Sequence, residues 1–271
     1  MEVTTKRKIL KYTGTSQLEQ QDEIVSEYPL TIMLNGEEFA TLVCTPTDLE
    51  DMAIGFLASE GVIRFADEIK SITIDENSGF AYVEITNKQP VSTQFYSKRV
   101  IGSCCGKSRQ SFYFYNDVKT AKTVMSKGRI TIDQCFYLME LLQQSSSHFQ
   151  NTGGVHNAAL ADKNSIIIAR TDIGRHNTLD KIYGYWMRNW IPLQDKCIVF
   201  SGRISSEVLL KVAKIGVGII LSKSAPTDLA LQLADDLGIT VVGFIRGQKC
   251  NVYTHPERII GTIEESLSPT S

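Results

Sequence analysis

The 271-residue chain has no apolar run long enough to span a bilayer, and Met1 to Tyr12 are charged where an export signal would carry an apolar core. Membrane insertion and secretion are therefore not expected, and the cytoplasm is the default compartment. Charge of one sign is lacking too: 28 Lys and Arg stand against 30 Asp and Glu, for a net −2. No global field draws such a chain to nucleic acid or to an anionic membrane, so any anion site must be built locally. The six cysteines, Cys44, Cys104, Cys105, Cys135, Cys197 and Cys250, follow no framework spacing, which points to reduced thiols rather than a disulfide scaffold. No Cys-x-x-Cys pair occurs, and adjacent cysteines seldom chelate one zinc, so no metal site is expected. A Walker loop and the three-glycine dinucleotide fingerprint are missing, leaving ATPase and NAD-enzyme readings without support.

What is present is the pattern of a globular α/β chain, 42% apolar and longer than one small core usually organises. Residues 1–26 are polar and read as a loosely attached arm, 27–115 as an α+β domain ending in a cysteine loop, and 116–271 as an α/β domain. Alternation on both sides of Asn35-Gly36 predicts one hairpin, and alternation around Asn77-Ser78-Gly79 a second. Between them Thr47 and Glu50 match a capping box, with Leu49, Met52, Ala53, Phe56 and Leu57 on one helical face. Asn87 to Arg99 and the stretch from Val100 to Arg109 read as a connecting loop. Thr131 and Gln134 form a second capping box, opening a helix that carries Cys135, Leu138, Met139 and Leu142. An antiparallel pair is expected over Val155–Ala161 and Ile166–Ala169, followed by a helix with Leu179, Ile182, Tyr183 and Trp186 on one side. From Cys197 strands and helices alternate, which requires crossovers and a largely parallel sheet.

In such a sheet ligands bind beyond the carboxyl ends of the strands, where loops and helix starts gather. The chain places Ser201-Gly202-Arg203, Ser222 to Thr227 with Ser224 among them, and Arg246-Gly247-Gln248-Lys249 after three successive strands. Arg170 to Asn177 adds cations and amides ahead of a helix. Each loop alone reads as an ordinary turn; their coincidence on one edge favours a site for a phosphate-bearing ligand, since arginine offers forked donors and glycine lets backbone approach closely. Within it His156 and Arg175-His176 could orient a substrate or shuttle a proton, and could equally be structural. The sharper feature is Cys104-Cys105, flanked by Lys98, Arg99, Lys107 and Arg109. Nearby cations favour thiolate, and cysteine is otherwise most often a buried small hydrophobe, so a doubled cysteine in a basic polar loop suits a persulfide carrier. Cys44, Cys135 and Cys197 lie in apolar patterns and read as core, while Cys250 is undecided.

Several collinear stretches together resemble the formate dehydrogenase accessory protein (FdhD) family. They include Glu27 to Ile32, Asn35-Gly36, Gly55 to Gly61, Thr152 to His156, Asp172 to Asn177, Asp180-Lys181, Ser201 to Arg203, Ser224 to Thr227, Gly243 to Gly247 and Asn251 to Thr254. The resemblance implies a homodimer whose C-terminal domain is a cytidine-deaminase-like three-layer α/β/α unit with a mixed sheet. It also implies a sulfurtransferase that takes persulfide sulfur from a cysteine desulfurase. The sulfur then passes to the molybdenum bis(molybdopterin guanine dinucleotide) cofactor, a bound substrate destined for formate dehydrogenase. The segment matching Phe244, Ile245, Arg246, Gly247, Gln248 and Lys249 is associated in that family with cofactor binding. The family commonly separates its two cysteines by two residues before Gly-Lys, whereas here Cys104 and Cys105 adjoin ahead of Gly106-Lys107, so either can match the persulfide-bearing position. A cofactor-binding chaperone that leaves sulfur transfer to another protein is the alternative, and a deaminase-like hydrolase a third reading weakened by the missing zinc ligands.

Overall fold

A computed structural model describes residues 2–86, 100–101, 123–126, 128–145 and 152–261. The expectations placed on Cys104, Cys105, Lys107 and Arg109 fall outside these residues.

The chain opens with a hairpin, β1 (Thr4–Thr13) and β2 (Ser16–Val25), paired along its whole length. Residues 1–26 were expected as a loose arm, and the difference has a physical reason. The ribbon is largely exposed on both faces, so it carries no apolar alternation, and polar cross-strand contacts such as Lys8–Glu19 and Thr4–Glu23 accompany its ladder.

The two sequence-predicted hairpins are present as β3 (Tyr28–Leu34) with β4 (Glu37–Cys44), and β5 (Ile69–Asp75) with β6 (Phe80–Ile85). Asn35 and Gly36 both have positive φ, 49° and 86°, as a tight hairpin turn requires. Parallel pairing of β3 with β6 joins the hairpins, and a short β7 (Val100–Ile101) pairs parallel with β4, giving the order β5-β6-β3-β4-β7. Val100 and Ile101 thus form a strand where a loop was expected, because two residues show no alternation.

Helix α1 (Leu49–Ser59) forms as predicted but is not amphipathic: every residue except Glu50 is buried. Nor does the Thr47–Glu50 capping box form. Asp48 occupies the N-cap in a left-handed conformation without a side-chain cap bond, and the Thr47 hydroxyl lies 3.3 Å from Lys181 Nζ.

The second sheet has the order β10-β9-β11-β12-β13-β14. Its elements are β9 (His156–Ala161), β10 (Ile166–Asp172), β11 (Cys197–Phe200), β12 (Ile219–Ser222), β13 (Thr240–Arg246) and β14 (Lys249–Val252). The three central strands β11, β12 and β13 are parallel and the flanking strands antiparallel, so the sheet is mixed, as expected. Short strands β8 (Ile130–Thr131) and β15 (Ile259–Ile260) pair beside it. Helices α2 (Ile132–Gln144), α3 (Arg175–Asn189), α4 (Ser206–Ile215) and α5 (Asp228–Leu237) complete the set, α2 opening on the predicted Thr131–Gln134 capping box.

The period of two along the strands sorts their side chains between two cores. Ala158, Leu160, Ile198, Phe200, Ile220 and Val241 join α1, α3, α4, α5 and the first sheet. Ala159, Ala161, Cys197, Val199, Leu221 and Val242 face α2. Helices α1 and α3 meet through two glycines: a Cβ on Gly55 would lie 1.7 Å from the Asp180 carbonyl oxygen, and one on Gly184 2.0 Å from that of Asp51. Only hydrogen at both positions lets the backbones approach this closely.

Candidate functional site

The carboxyl ends of β11, β12 and β13 converge through bonds between their loops. Ser201 donates its N–H to the Asn157 carbonyl (2.9 Å), while its hydroxyl accepts the Asn157 N–H (2.8 Å). Ser222 Oγ donates to the Gly202 carbonyl at 2.8 Å and receives the Ser224 N–H at 3.0 Å; Ser224 Oγ donates to the Ser201 carbonyl at 3.1 Å. Phe244 N–H donates to the Ser224 carbonyl at 3.2 Å, and Arg246 Nε–H to that of Lys223 at 3.4 Å. Ser201, Gly202, Ser224, Phe244 and Arg246 therefore form one continuous rim, as the loop positions had suggested. Arg203 is exposed beside it.

The last rim segment differs from expectation. Instead of a loop, Arg246 and Lys249 are cross-strand partners of a hairpin turning at Gly247-Gln248, so no helix start faces a ligand there. Phe244 adopts φ 53° and remains partly exposed, with the Arg246 guanidinium 5.9 Å from its ring centre, whereas Ile245 is buried. Ile245, Gly247 and Gln248 close one side of a cavity of about 410 Å3 whose opposite wall is α2, through Asp133, Phe136, Tyr137, Met139, Glu140 and Gln143. Lys223 Nζ donates to Gln143 Oε1 at 3.0 Å and ties this wall to the rim.

On the other side of the rim stands His156, at the start of β9. A Cβ on Gly202 would meet its Nδ1 at 3.3 Å, so the missing side chain makes room for the imidazole. Burial and the Arg175 charge hold the His156 pKa below the ordinary histidine value, partly opposed by Asp172, its cross-strand neighbour. Arg175 and His176 begin α3, and His176 Nε2 lies 3.2 Å from Glu207.

Beneath these residues is a buried polar hub that periodicity did not disclose. Asp172 Oδ1 accepts Gly174 N–H and Asn177 Nδ2–H, both at 2.8 Å. Its Oδ2 accepts Thr45 N–H and Oγ1–H, both at 3.0 Å, and lies 2.8 Å from Lys181 Nζ. Asp172 and Lys181 are both 0% exposed, so neither charge would be tolerated without the other. Asn177 also donates to the Val43 carbonyl at 3.0 Å, tying the end of β4 to the start of α3. The available signal was Lys181 on the apolar side of a helix, four residues after Asn177.

Four of the six cysteines are among the described residues, and none suits a nucleophile. Burial pushes the thiols of Cys44 and Cys135 up to about 12 and that of Cys197 higher still. Cys250 is half-buried, with its pKa also raised by burial. The core reading of Cys44, Cys135 and Cys197 holds.

Fold and rim together define an α/β protein with a hydrogen-bonded loop rim at the sheet's carboxyl edge and a bonded polar hub behind it. Residues 25–260 match the model of the FdhD/NarQ family, and the chain belongs to that family. It is 62% identical over 255 residues to a protein of Halalkalibacterium halodurans named sulfur carrier protein FdhD, covering 94% of both chains. A Bacillus subtilis protein of the same name is 58% identical over 257 residues, 95% of this chain and 98% of that one. The crystal structure of a candidate formate dehydrogenase accessory protein from Desulfotalea psychrophila is similar with a TM-score of 0.78 at 25% identity, covering 96% of this chain and all of the other.

Proposed function

We propose that this protein is a sulfur carrier serving formate dehydrogenase, working in the cytoplasm as a homodimer whose C-terminal unit has a cytidine-deaminase-like layering. One observation carries the reading beyond family membership: the four described cysteines are held protonated by burial, which leaves Cys104 and Cys105, in their basic sequence context, as the chain's nucleophilic thiols. A thiolate at one of them, favoured by Lys107 and Arg109, attacks the outer sulfur of a cysteine desulfurase persulfide. The S–S bond of the donor breaks, the donor sulfur departs as thiolate, and the carrier gains the persulfide.

The acceptor is the molybdenum bis(molybdopterin guanine dinucleotide) cofactor, bound as substrate. Its phosphates suit Ser201, Gly202, Arg203, Ser224, Arg246 and Lys249, and its guanine the neighbouring surface at Phe244, Gly247 and Gln248, backed by the buried Ile245. The Ser201 hydroxyl accepts from Asn157, so its own hydrogen remains to donate, and Arg203 and Lys249 are exposed to solvent. His156, Arg175 and His176 stand at the delivery point.

The test is to incubate the protein with desulfurase and cysteine and weigh it. A gain of one sulfur on Cys104 or Cys105, lost in the Cys104→Ala/Cys105→Ala double variant, is expected. No gain on the native chain would instead favour a chaperone that only holds the cofactor.

A further inference from the structure

Arg175, at the start of α3, carries a buried donor at this edge. Its Nε is buried and finds no acceptor among the described residues. A buried, unsatisfied N–H costs free energy that a bound acceptor would return. The nearest acid in sequence, Asp172, cannot serve, since Lys181, Thr45, Gly174 and Asn177 already occupy both its oxygens. His176 lies against Glu207, so that carboxylate is engaged by a neighbour as well. The fold thus neutralises the buried aspartate with a buried lysine and, among the described residues, pairs no carboxylate with the arginine beside it.

We infer that Arg175 is the receptor for a sulfur-borne anion: next to His156, which abuts Gly202, its buried Nε–H takes the terminal sulfur of a persulfide presented at this edge. The inference rests on the sulfur-carrier reading and adds to it where the sulfur docks. A physical argument favours sulfur over phosphate. A partly enclosed donor suits a weakly hydrated anion, which loses little on leaving water, and guanidinium is itself the weakly hydrated cation. The topology agrees: β7 pairs parallel with β4 at Thr41–Val100 and Leu42–Ile101, so both strands run toward the edge where Thr45 binds Asp172. Burial and the Arg175 charge both disfavour protonation of His156, which lessens its competition for the anion.

The probe is thiosulfate, an anion ending in sulfane sulfur, titrated into the full-length protein while the imidazole resonances of His156 are followed by NMR, with inorganic phosphate in parallel. Thiosulfate is expected to shift His156 and to bind more tightly than phosphate. Arg175→Gln should weaken it by about tenfold or more, the usual cost of losing a charge-assisted hydrogen bond. Arg175→Lys, which restores charge without the Nε–H, should recover only part, and Lys70→Gln on exposed β5 should change nothing. Thiosulfate that leaves His156 unmoved, that binds Arg175→Gln as well as the native chain, or that is matched by phosphate would overturn the assignment. The two readings fail separately. Arg175→Gln should still load persulfide from the desulfurase but deliver it at about a tenth of the native rate or less. Normal delivery by that variant sinks the docking role alone, whereas a native chain that never loads sinks the carrier reading.

Discussion

Gly55 and Gly184 let two helix backbones touch, and each acts by lacking a single carbon. Gly55→Ala and Gly184→Ala would drive Cβ into carbonyl oxygens at 1.7 and 2.0 Å, a collision with backbone rather than with a pliable side chain. We expect each to destabilise the protein beyond the roughly 1–3 kcal/mol usual for core overpacking, read as a lower denaturation midpoint. Lys181→Met should cost about 3–5 kcal/mol by stranding the Asp172 carboxylate, and Asp172→Asn/Lys181→Met should be less harmful than the sum of the single changes. Thiol reagents at neutral pH should modify Cys104 and Cys105 rapidly, and Cys44, Cys135 and Cys197 only once the chain is unfolded, as mass mapping would show. His156 titrates below its unfolded value, so the folded state binds less proton. Stability should therefore be retained above the ordinary histidine range near ~6.5 and fall as pH drops through it toward the folded value, more steeply in the native protein than in His156→Gln.

Elements with one buried face were legible because burial imposes a period, and elements without one were not. The hairpins at Asn35-Gly36 and around Gly79, the Thr131 cap, and the strand–helix alternation after Cys197 all appear where the pattern put them. Thr131→Ala should cost about 1 kcal/mol, the ordinary worth of an N-cap, since Thr131 Oγ1 accepts the Gln134 N–H at 3.2 Å. The β1–β2 ribbon is the opposite case. Its outer half, with Leu10, Tyr12 and Leu18 exposed, contributes nothing to either core, so limited proteolysis should cut there first and leave the thermal midpoint of the remainder nearly unchanged. The capping box at Thr47 failed for a related reason: the helix it should have opened is buried, and Thr47 serves the Lys181 site instead.

At the scale of the whole molecule the larger core runs without a break from β3, β4 and β6 through α1 and α3 to β11, β12 and β13. Calorimetry should accordingly show one cooperative transition across both sheets, and Gly55→Ala should lower it as a unit. The sequence by itself determined the α/β class, most strands and helices, the edge on which the rim loops fall, and the family, because each is written in local periodicity or in short collinear motifs. Among the described residues, only the tertiary structure decided which cysteines are silenced by burial, that Asp172 is claimed by Lys181 and Thr45, and that Arg175 is left with a donor unspent. Those outcomes depend on which distant groups share a desolvated space: Thr45 and Asp172 stand 127 positions apart, and no local pattern records their meeting.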